Sequence, residues 1–138
     1  MSVIEQYSGN ILPHVLMGTA GTAGDLIYHS TGSGMTYKSA ATGTGVSDQF
    51  LGVLIETTAA GSYGAVLCAG VVQLQKHAAS QKIEMTDILY GTKSSNLVGT
   101  VAGGTAIGVC VKQSATTDTY VSTLLIPFWI SGATGFHA

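Results

Sequence analysis

Read from composition and spacing alone, the chain is all-β. The expected architecture is a small β-barrel or sandwich built from an internally duplicated three-strand unit, with extended N- and C-terminal arms. Gly and β-branched residues recur too often for a long amphipathic helix. Short runs of β-formers alternate with Gly, Ser and Thr, with strands spaced about 8–12 residues apart, as in sandwiches and barrels. The stretch "GDLIYHSTG" (24–32) also returns as "TDILYGTKS" (86–94).

The opening residues 1–17 read as an arm. Val3, Ile4, Tyr7, Ile11 and Leu12 lie outside the repeat, and such apolar arms dock on a neighbour or a larger surface. There is no basic region followed by a long apolar one, so no signal peptide is expected, and synthesis in a cytoplasm is.

Residues 18–126 form the duplicated domain, with halves of about 18–78 and 79–126. In the first half, Asp25 of "GDLIY" is followed by "LGV" (51–53) and "YGAVLCAGVVQL" (63–74). In the second, Asp87 of "TDILY" is followed by "IGV" (107–109) and "YVSTLLIPFWI" (120–130). Gly52 and Tyr63 are 11 residues apart, Gly108 and Tyr120 are 12 apart. Three landmarks in one order predict a repeated unit. Asp-to-Gly spacing is 27 against 21, so the intervening loop, 29–50, is longer in the first copy, with "MTYK" as a possible hairpin arm. Each Asp is expected to cap a turn by accepting backbone N–H bonds. Gly52 and Gly108 are expected to mark a bulge or a close backbone approach. One short helix is conceivable, "QKHAASQKIEM" (75–85).

Composition narrows the function classes. Charged residues make up 9% of the chain, against about 25% in ordinary domains, and all five cations are Lys. The net charge is −2, which argues against a nucleic-acid groove. No apolar run reaches the roughly 18 residues of a membrane span.

The chemical motifs are thin. "GTAGTAGD" (18–25) lacks the Lys-Ser/Thr ending of a phosphate loop and the strand–helix setting of a dinucleotide fingerprint. His14, His29, His77 and His137 are scattered, so no metal site or cofactor is expected. No G-x-S-x-G elbow occurs. Cys68 and Cys110 read as two buried reduced thiols, though paired strands leave a bridge between them open. Asp25 and Asp87 could form a carboxylate pair if the halves met about a pseudo-two-fold, and with His29 would suit a ligand-binding or hydrolytic barrel. His29 has no counterpart in the second copy, where Gly91 follows Tyr90. Turn-capping is the preferred role.

Residues 127–138 form a tail carrying Phe128, Trp129 and Phe136 beyond the last repeated strand. A charge-poor surface with apolar termini suits a permanent assembly.

The series "AGDLIY", "LGV", "GVVQLQKHA" (70–78), "TDILYG", "TAIGV" and "TYVSTLLI", running from about residue 23 to 126, resembles the phage capsid cement or decoration family. The resemblance implies a small all-β subunit on the outside of an icosahedral head. It implies binding to the major capsid protein, self-association with a trimer favoured over a dimer, and no catalysis or cofactor. The expected location is the virion exterior. Thr86 departs from the family's usual Gly, and the terminal arms lie outside the shared core. Val3, Ile4, Tyr7, Ile11, Leu12, Phe128, Trp129 and Phe136 are the expected capsid or subunit contacts. The alternatives are the Asp25/Asp87 barrel and a fibre or adhesin module that binds glycan.

Overall fold

The computed structural model describes residues 10–30, 36–40, 46–77, 82–91, 95–100 and 104–126, with the backbone alone at 46–48. Among these residues the chain forms strands joined by turns and loops, with a 3-10 residue at Ala40 after the third strand. In order, the strands are β1 (Asn10–Leu16), β2 (Leu26–Ser30), β3 (Tyr37–Ser39), β4 (Val46–Leu54) and β5 (Tyr63–Gln75). There follow β6 (Ile88–Gly91), β7 (Val98–Gly99), β8 (Thr105–Lys112) and β9 (Tyr120–Leu125).

All pair antiparallel in one sheet, ordered β3-β2-β4-β5-β9-β8-β6-β7, with β1 also on β5. The order reads symmetrically from its two ends if β2–β5 are matched with β6–β9. The long strand β5 serves both sides. Its first part pairs with β1 and β4, and from Gly70 onward it pairs with β9. Gly70, at φ 135°, sits where the partner changes, a conformation that suits a residue without Cβ. The sheet does not close into a barrel. Each edge strand is instead met by a single parallel bridge, Met17 to Tyr37 beside β3 and Lys76 to Val98 beside β7.

The same backbone pattern accompanies both bridges. Gly18 N–H donates to Tyr37 O at 2.8 Å, and His77 N–H to Val98 O at 2.7 Å. Met17 N–H donates to Ser62 O at 3.0 Å, and Lys76 N–H to Thr119 O at 2.9 Å. The recurring geometry therefore extends past three strands to the segment entering each half: β1 in the first, the end of β5 in the second.

Two apolar clusters result. Val15, Met17, Ile27, Leu51, Leu54 and Val66 fill the first half. A larger cluster joins Leu74, Leu89, Val98, Ile107 and Val121 of the second half to Leu26, Tyr28, Val53 and Leu67 of the first. β2 is buried on both faces, with Ile27 turned into its own half and Leu26 and Tyr28 toward the other. Alternation along a strand separates those directions.

Residues 10–17, placed in the arm by sequence, are a strand on β5, with Val15 and Met17 in the core. Register shifts around Pro13 and His14 interrupt the alternation that would announce it. The helix considered over 75–85 does not form in its described part. Gln75 ends β5, while Lys76 and Ile83 make β-bridges. Residues 78–81 lie outside the described residues.

Candidate binding face

The repeated aspartates are built into matching turns. Asp25 Oδ2 accepts from Thr22 N–H at 2.9 Å, and Asp87 Oδ2 from Glu84 N–H at 2.9 Å. Asp25 O accepts from Leu54 N–H and Asp87 O from Cys110 N–H, each at 2.9 Å. A third turn repeats the motif, with Asp118 Oδ2 accepting from Ala115 N–H at 2.9 Å. Sequence reading missed this one, although Ala-Thr-Thr-Asp offers the same acceptor three residues on.

The two repeated carboxylates serve separate turns. Asp25 carries more. Its Oδ2 also accepts from Ser39 Oγ at 2.8 Å, and its Oδ1 from Asn96 Nδ2 at 3.0 Å. Asn96 Oδ1 accepts from Leu26 N–H at 2.9 Å, so this residue of the second half clasps the first strand after the turn. His29 stacks edge-on against Tyr37 and His14 against Tyr63. Among the described residues no group of three His, Cys, Asp or Glu side chains could hold a metal ion.

Gly52 and Gly108 occupy equivalent close approaches. A Cβ on Gly52 would collide with the carbonyl oxygen of Leu67, and one on Gly108 with that of Leu124. Both thiols are free. Burial pushes the Cys68 and Cys110 thiols above their ordinary range, with the nearby Asp87 charge adding to the rise at Cys110.

Of the contacts expected from sequence, Ile11 is half-buried against the larger cluster and Leu12 is 43% exposed. Val3, Ile4, Tyr7, Phe128, Trp129 and Phe136 lie outside the described residues.

The surface feature that sequence reading missed is a row of aliphatic side chains. On β5, β9, β8 and β6, Val71 pairs with Leu124, Leu124 with Val109, and Val109 with Ile88. Directly paired residues point to one face of a sheet. Their neighbours Val72, Leu125, Cys110 and Leu89 are buried, so this row faces outward. Val71 is 41% exposed and the other three are half-buried.

The first half has the same row. Ile11 pairs with Leu67, Leu67 with Val53, and Val53 with Leu26. There Leu67, Val53 and Leu26 are fully buried, because the second half covers them. Gly91 permits the approach: a Cβ there would stand 2.7 Å from Tyr28 Oη and 3.0 Å from Leu26 Cδ1. Nothing among the described residues gives the second row equal cover. Beside it lies a polar groove of about 270 Å³ lined by Gln73, Ser122, Lys112, Asp118 and Tyr120. An apolar centre with a polar border is the anatomy of a protein contact.

No curated protein matches the chain. The sequence model of the phage cement protein family matches residues 8–126, from just before β1 to the residue after β9, and the chain belongs to that family.

Proposed function

We propose that this protein is a structural virion component that binds the outer surface of a phage head and cements adjacent major capsid subunits. The family match over residues 8–126 carries this reading. The charge-poor composition and the outward aliphatic row support it. The protein acts as a homo-oligomer, a trimer in preference to a dimer, and its two halves descend from an internal duplication. Repeated weak contacts sum over a lattice, so each subunit needs only modest affinity. The terminal segments contribute the capsid contacts, through Val3, Ile4 and Tyr7 at one end and Phe128, Trp129 and Phe136 at the other. Asp25, Asp87, Gly52 and Gly108 hold the fold, and no residue has a catalytic role.

The test uses heads that lack this protein. Purified full-length chain is expected to cosediment with them saturably and to raise their resistance to heat. A chain lacking residues 1–9, which leaves β1 intact, is expected to keep its circular dichroism and melting behaviour and to bind more weakly. Absence of saturable binding by the full chain would overturn the proposal. Undiminished binding by the truncated chain would remove the N-terminal segment from the contact.

A further inference from the structure

We propose that the outer face of the second half, centred on Val71, Leu124, Val109 and Ile88, is a contact between copies of this chain. The inference deepens the self-association proposed above by naming its surface. It rests on a comparison internal to the molecule. The row Ile11–Leu67–Val53–Leu26 of the first half has the same strand pairing and residue character, and it is buried by a unit of the same architecture. This fold therefore already covers one such row with its own kind, and the equivalent row faces outward. The next residues on the face follow suit. Tyr28 and Phe50 are a buried edge-on aromatic pair in the first half, while their counterparts Tyr90 and Ala106 are only half-buried.

Charge favours a second copy as the occupant. The row contains no ionisable side chain, so apposition strands no charge in an apolar contact. The groove beside it carries both signs, Lys112 and Asp118, which two copies can satisfy reciprocally. An aliphatic row of this kind on a chain with only 9% charged residues is also a solubility liability unless covered.

The experiment is sedimentation or light scattering of the full chain across a concentration series, alongside Val71→Lys and Val109→Lys. Circular dichroism reports folding, and head binding is measured in parallel. Wild-type protein is expected to form a discrete oligomer. Both variants are expected to stay folded and to dissociate, with the dissociation constant rising about tenfold or more. If Val109→Lys does not fold, Val71→Gln, at the most exposed position of the row, replaces it. An unchanged oligomer in the folded variants would overturn this surface and leave self-association standing. A wild-type monomer at every concentration would overturn both. A wild-type monomer whose row variants lose head binding would assign the face to the capsid protein and overturn the contact between copies.

Discussion

The two halves of the sheet pair their strands alike and differ in what lies on top of them. In the first, Leu26, Val53 and Leu67 are sealed beneath the second half. In the second, Ile88, Val109 and Leu124 occupy the same register and face outward. Residue character at these positions is nearly the same, so the difference is tertiary. One half serves as the core of the molecule, and the other presents a core-like surface.

The sharpest test substitutes one paired position in each half. Leu67→Ala removes a fully buried side chain and is expected to cost about 3 kcal/mol or more, through lost burial and the cavity left behind. Leu124→Ala removes a half-buried one and is expected to cost about 1 kcal/mol in dilute protein. Chemical denaturation at low concentration measures both. Equal losses would mean that the second row is as well covered as the first, and the asymmetry would collapse.

The aspartates give a smaller contrast. Asp25 accepts from Thr22, Ser39 and Asn96, and Ser39 is buried. Asp25→Ala deletes the bonds from Thr22 N–H, the Ser39 hydroxyl and Asn96 and releases the clasp between halves, an expected loss of about 2–3 kcal/mol. Asp87→Ala loses its turn bond to Glu84 N–H, an expected loss of about 1 kcal/mol. Thermal melts of the two variants check the order. A larger loss at Asp87 would show that the clasp through Asn96 contributes little.

Much of this was legible in the sequence. The Asp-aliphatic-aliphatic-Tyr strands, the "LGV" and "IGV" glycines and the all-β class follow from local rules, because turn acceptors and close approaches are set by residues near in the chain. What was not legible depends on long-range packing. β1 was hidden because the register shifts about Pro13 and His14 break its alternation. Lys76 read as one cation in a helical run. In the fold it is buried where the first half has Met17, with Nζ donating to Ala115 O at 2.8 Å. The outward row was invisible for the same reason. "GDLIY" and "TDILY" carry the same side-chain types, and nothing within either pentapeptide states that Gly91 and Asn96 will close over only the first.

The finest difference lies at one backbone position in each turn. Gly24 precedes Asp25 with φ 98°, and Thr86 precedes Asp87 with φ 73°. An L residue there pays a steric penalty of about 1–2 kcal/mol, most severe for a β-branched side chain. Thr86→Gly relieves that penalty and returns some of the gain as extra freedom of the unfolded chain. The expected net stabilisation is roughly 0.5 kcal/mol. Gly24→Thr has both contributions reversed in sign, and the turn at Asp25 must also keep its bonds to Ser39 and Asn96, so a loss of about 1.5 kcal/mol is expected. The two variants measured by denaturation should move in opposite directions. If Thr86→Gly were destabilising, the second turn would owe its shape to its threonine, and the equivalence of the two turns would hold for their hydrogen bonds but not for their backbone energetics.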